Sequence, residues 1–126
     1  EKNEPTDAQR IFEDWIQKYG VGGFDGVATQ SSMQTQGIVS SMQSYGLDTS
    51  NFILAGISAS TGEWVADGYE YVDLYQDPYA EAEAALKTIR AMLDGTTDQL
   101  ETMEGTDNYV AVPMTPITAE NAENFV

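Results

Sequence analysis

The 126 residues predict an α/β domain, a parallel sheet between helices in a three-layer αβα arrangement, and three features point to it. Apolar stripes at helical spacing alternate with short apolar runs. Residues 52–57, FILAGI, are apolar without alternation, the pattern of a strand covered by helices on both faces. Residues 69–95 read as a strand, a polar corner and a helix in direct succession. The order α-β-α-β-α-β-α-loop-β calls for parallel strands joined by right-handed crossovers.

The first helix carries Ala8, Ile11, Phe12, Trp15, Ile16 and Tyr19 on one face and ends at Gly20. Thr6 and Gln9 have capping-box spacing before it, and Trp15 is expected in the core. Residues 24–30 form the first strand. Ser31 or Ser32 then caps a helix with Met33, Gly37, Ile38, Met42 and Tyr45 on its apolar side and Gly46 as its stop. After the strand at 52–57, a short helix over 61–66 leads through Asp67-Gly68 into the next strand, where Tyr69, Tyr71, Val72, Leu74 and Tyr75 suit a half-buried pleated surface.

Gln76 ends that strand, Asp77 is placed to cap a helix, and Pro78 suits its first position because an N–H there has no partner in any case. Ala82, Ala85, Leu86, Ile89, Met92 and Leu93 recur at helical spacing, Glu83 and Lys87 can pair four apart, and Gly95 is the stop. Residues 96–108 are polar and acidic, a loop. A last strand is expected over 109–112, ended by Pro113, with Thr118 capping a terminal turn through Phe125.

Twenty-one acidic against five basic residues give −16 at pH 7, with no Lys or Arg between Lys18 and Lys87. Such a surface repels phosphate backbones and anionic membranes, so nucleic acid is not an expected partner. No apolar run reaches the ~20 residues of a membrane span, and no direct membrane insertion is expected. With neither His nor Cys, and with Asp77 the sole acid or lysine at the three strand ends, no catalytic, metal or cofactor site is expected. The acids Asp94, Asp98, Glu101, Glu104 and Asp107 lack the spacing and central Gly of an EF-hand loop and read as a solvated loop.

Open parallel sheets bind ligands in the crevice at the carboxyl ends of their strands. Three successive strands here end in polar corners, at Ser31-Ser32, at Ser58-Ala59-Ser60-Thr61 and at Gln76-Asp77. The candidate ligand-binding residues are therefore Gln76, Ser58 and Ser31. Asp77 reads as a cap rather than a ligand, and Tyr75, Tyr79 and Trp64 as packing residues able to stack on a ligand face.

The order of VGGFDGVATQSSMQTQGIVSSMQSYGL, FILAGISAS, WVADGYEYVDLYQDPYAEAEAALKTIRAMLDG and YVAVPMTPITAENAENF resembles the C-terminal portion of type I periplasmic sugar-binding proteins, the ribose- and galactose-type receptors of ABC transporters. The resemblance implies a partial lobe of that fold, with residues 1–76 in the ligand-binding lobe and residues 77–126 supplying a hinge-crossing helix, a loop and the last strand. It implies a solute-binding component for sugar uptake rather than an enzyme, closing two lobes on a small-molecule sugar or polyol and handing it to a membrane permease. The implied location is extracytoplasmic, in the periplasm or as a cell-surface lipoprotein, with any export signal lying upstream.

Ser31 falls where the family usually has Asn, Ser58 where it has Asp, and Gln76 where it has Gln or Asn. Short hydroxyls thus replace two stronger hydrogen-bonding groups. Asn3 and Glu4 lie near a further family contact position. The alternative is the effector-binding domain of a LacI-type transcription regulator, whose matching strand usually carries Pro-Leu-Thr-Thr; Tyr71-Val72-Asp73-Leu74-Tyr75 favours the transporter receptor. A third reading is an α/β interaction module with no small ligand.

Overall fold

Helix α1 (Pro5–Tyr19) begins on a proline, whose fixed φ and missing N–H suit a first turn. The capping box expected at Thr6 does not form. Glu4 is the cap residue without a side-chain bond, and Gln9 instead donates to Glu13 at 2.9 Å. Gly20, at φ 82°, closes the helix. The computed structural model describes residues 4–58, 62–102, 104 and 110–126, in two compact units: Glu1–Tyr75 with Pro116–Val126, and Gln76–Thr115.

In the first unit α1 packs on α2 (Ser32–Tyr45). Gly37 permits the contact, because a Cβ there would collide with the Pro5 carbonyl and reach 2.9 Å from the Gln9 nitrogen. Phe12 and Ile16 of α1, Ile38, Val39 and Met42 of α2, and Leu54 form the main core. Phe24 and Phe52 meet Phe12 edge-on at centroid distances of 5.7 and 5.8 Å. Trp15, expected in that core, lies on its flank instead: it touches Phe24 edge-on but is 41% exposed, since Phe12 and Ile16 occupy the centre of the helix face.

Strand β1 (Gly26–Ala28) is shorter than the expected 24–30, because Phe24 is drawn into the aromatic cluster before the ladder begins. It pairs in parallel with β2 (Ile53–Ser58), Ala28 opposite Ala55, and β2 pairs in parallel with β3 (Val72–Tyr75), Gly56 opposite Asp73 and Ser58 opposite Tyr75. Burial alternates along β2: Leu54, Gly56 and Ser58 are buried, whereas Ile53 is exposed and Ala55 and Ile57 are half-buried. Helix α3 (Glu63–Ala66) follows, and with β4 (Thr115–Ile117) the strand order across the sheet is β1-β2-β3-β4.

Strand β4 is Thr115–Ile117, not 109–112. Val110 makes an isolated antiparallel bridge with Thr102, and Tyr109 lies outside the described residues. An edge strand can accept Pro116, which lacks a ladder donor, and Ile117 draws the segment inward, packing with Val65 and Ala122 in a second core. The terminal turn is held by Asn121 rather than Thr118: its side chain accepts from the Thr118 N–H at 2.7 Å and donates to the Pro116 carbonyl at 3.0 Å.

The second unit is built on α4 (Pro78–Asp94), capped by Asp77, whose carboxylate accepts from the Tyr79 N–H at 2.9 Å, and stopped by Gly95 at φ 71°. Glu83 and Lys87 pair at 2.8 Å. The apolar stripe at helical spacing is exposed at Leu86, Ile89, Met92 and Leu93, because the described part of this unit holds one α-helix and covers only Ala91.

Candidate solute-binding corner

Parallel pairing in register brings the carboxyl ends of β1 and β2 side by side. Ala28 opposes Ala55, so Ser31 and Ser58 each follow their strand's paired alanine by three residues. Ser31 sits in extended backbone at φ −159° and caps α2, its hydroxyl accepting from the Gln34 N–H at 3.4 Å. Ser58 is the last residue of β2 and is 5% exposed, its hydroxyl donating to the Asp73 carboxylate. Gln76 follows Tyr75, the register partner of Ser58, and is the first, half-buried residue of the second unit. Ala59, Ser60 and Thr61, and also Asn3, lie outside the described residues.

Beneath Ser58 lies a polar cluster that residue patterning did not reveal. Glu70 and Asp73 are buried, at 4% and 2% exposure. The reversal after α3 places them: Gly68 takes φ 77°, the Tyr69 and Glu70 N–H groups both donate to the Trp64 carbonyl, and the Tyr71 N–H then donates to the Leu54 carbonyl as β3 joins the sheet. Thr35 of α2 bonds the Glu70 carboxyl and lies 2.6 Å, hydroxyl to hydroxyl, from Thr29. Thr35 also donates towards the Ser31 carbonyl at 3.4 Å. One oxygen of each acid, Glu70 Oε1 and Asp73 Oδ1, has no hydrogen-bond partner among the described residues.

Burial, with the adjacent Asp73 charge adding to it, pushes the Glu70 carboxyl up to about 8 from an ordinary 4.5, against a smaller opposing effect of the Thr35 hydroxyl. The available signal was Gly56, a glycine inside a strand, which marks a close approach. A Cβ there would collide with Glu70 Oε1 and stand 3.1 Å from the Thr35 hydroxyl and 3.3 Å from Asp73 Oδ1.

A cleft of about 400 Å³ opens along α1 and β1, lined by Asp7, Ile11, Trp15, Ala28, Thr29 and Gln34 among others. Its lining includes neither Ser31 nor Ser58. Among the described residues no three His, Cys, Asp or Glu side chains gather to hold a metal, and no helix is long and apolar enough to cross a membrane.

A sheet whose first three strands run parallel, each followed by a helix and two ending near hydroxyls, has the layout of the open α/β domains that take ligands at strand carboxyl ends. The family model for the periplasmic binding protein domain matches residues 1–97, and the chain belongs to that family. No curated protein matches. Among solved structures, the chain is similar to a sugar-binding protein of a sugar ABC transporter from Bacillus halodurans, with a TM-score of 0.75 at 14% identity over 99% of this chain and 44% of that one. It is also similar to a periplasmic solute-binding protein from Actinobacillus succinogenes 130z with bound D-allose, with a TM-score of 0.74 at 15% identity over 98% and 41%. An arabinose-transporter component from Shewanella sp. ANA-3 gives 0.73 at 15% identity over 96% and 38%. The fold is therefore that of type I periplasmic binding proteins, and the chain spans less than half the length of these structures.

Proposed function

We propose that this chain supplies part of the solute-binding component of an ABC uptake system, acting outside the cytoplasm and taking a carbohydrate or related small polar solute by two-lobe closure. The observation that carries this reading is the in-register ending of β1 and β2, which sets Ser31 and Ser58 at neighbouring corners in a chain of this family. Ser31 and Gln76 contact the solute, and Ser58, anchored by Asp73, forms the floor. The function is binding and transfer to a permease rather than chemistry, and the sugar-binding titles of the structural neighbours support the substrate class.

Binding to the folded state raises thermal stability by mass action. The complete open reading frame encoding this chain, screened by thermal shift against pentoses, hexoses, oligosaccharides, nucleosides and polyols, gains stability with at least one of them. Ser31→Ala and Gln76→Ala each reduce that gain. A complete protein that responds to none of these solutes refutes the proposal.

A further inference from the structure

We infer that Glu70 and Asp73 share a single proton at neutral pH, and that this singly protonated pair positions both Ser58 and the first turn of α2 at the candidate solute corner. The positioning role rests on the binding function proposed above; the shared proton does not.

The geometry is specific. Both acids are almost fully buried, and their partnerless oxygens converge on one spot, the place a Cβ on Gly56 would occupy. Two carboxylates buried together in an uncharged surround resist ionising together without a cation. The described basic side chains are engaged elsewhere: Arg10 with Asp14, Lys18 over the Tyr19 ring, Lys87 with Glu83 and Arg90 with Asp94.

Among the described residues, the other groups facing the pair are Gly56 and Ser58 from β2, Thr35 from α2 and, through Thr35, Thr29 beyond β1, none of them charged. Glu63, the first residue of α3, and Asp67, just after it, are exposed to solvent. The close approach of Gly56 leaves little room for a metal ion with six or more oxygen ligands, whereas a proton needs none.

The two acids divide the roles. Asp73 accepts the Ser58 hydroxyl, and Glu70, raised by its burial, is the protonated member. Both candidate residues connect to the pair, Ser58 through its hydroxyl to Asp73 and Ser31 through its backbone carbonyl, towards which Thr35 donates. Loss of the proton places a second charge beside Asp73 and drives Glu70 away from Gly56, disturbing Thr35 and with it the α2 cap.

Carbon-detected NMR titration of the 126-residue chain tests this without any solute. One buried carboxyl carbon titrates with a midpoint near 8, and the backbone amides of Ser31, Thr35 and Ser58 shift with the same midpoint. In Glu70→Gln that step and the coupled amide shifts both disappear. Two ordinary carboxyl titrations below pH 5 would overturn the shared proton. A carboxyl step near 8 with unmoved Ser31 and Ser58 amides would overturn the positioning role. Calcium or sodium chloride raising the thermal midpoint of the wild-type chain but not of Glu70→Gln would show that a cation occupies the pair instead. Because none of these readouts involves a sugar, failure here is distinguishable from failure of the binding function.

Discussion

The Ser58 hydroxyl donates to the Asp73 carboxylate across the β2–β3 ladder, two residues beyond the Gly56 that stands opposite Asp73 in register. A residue at a strand's carboxyl end is thereby tied to an acid in the sheet interior, and the candidate corner inherits the rigidity of the core.

Removal of that hydroxyl leaves the Asp73 carboxylate without its donor in a buried setting. Ser58→Ala is expected to lower folding stability by ~1–3 kcal/mol, read from urea unfolding at pH 6. A change below a few tenths would show that the contact carries no net energy.

Stability also depends on pH through Glu70. The folded state keeps a proton that the unfolded chain loses above 4.5, so stability falls as pH rises from 4.5 to about 8 and is flat, from this group, on either side. One proton sets a limiting slope of ~1.4 kcal/mol per pH unit, reduced to the extent that water reaches the pair. Glu70→Gln is expected to flatten that part of the curve and to be more stable than wild type at pH 8, as thermal melts across pH 5 to 8 would show.

Gly37→Ala tests the close approach of α1 and α2. The obstructing atoms are backbone, the Pro5 carbonyl and the Gln9 nitrogen, so they cannot rotate aside as a side chain would. Overpacking of this kind costs ~1–3 kcal/mol, and amide shifts should spread over the first two turns of α1. Unchanged stability and shifts would mean that the helices separate freely.

Phe12→Ala removes the ring against which Phe24 and Phe52 pack edge-on. With that residue 1% exposed, the expected loss is ~3–5 kcal/mol. A chain whose first unit is marginal should then lose its cooperative unfolding transition.

Sequence alone determined the local elements, because their signals act within a few residues. Gly20 ends α1, Ser31 and Gly46 bound α2, and Asp77, Pro78 and Gly95 bound α4, each through the backbone groups that a helix end leaves unpaired, whereas the start of α1 at Pro5 was not the Thr6 box its spacing suggested. The α/β order and the polar character of the strand ends were legible for the same reason.

Tertiary structure alone decided which polar groups are buried. Glu70 and Asp73 look in sequence like the outward residues of a tyrosine-rich strand, yet the parallel register of β2 with β3 and the placement of Thr35 above Gly56 enclose them. Those partners lie roughly 15 to 40 residues apart along the chain, beyond the reach of local patterning. The exposure of the α4 stripe was hidden likewise: helical spacing shows that Leu86, Ile89, Met92 and Leu93 share a face, while whether anything covers that face depends on elements elsewhere in space.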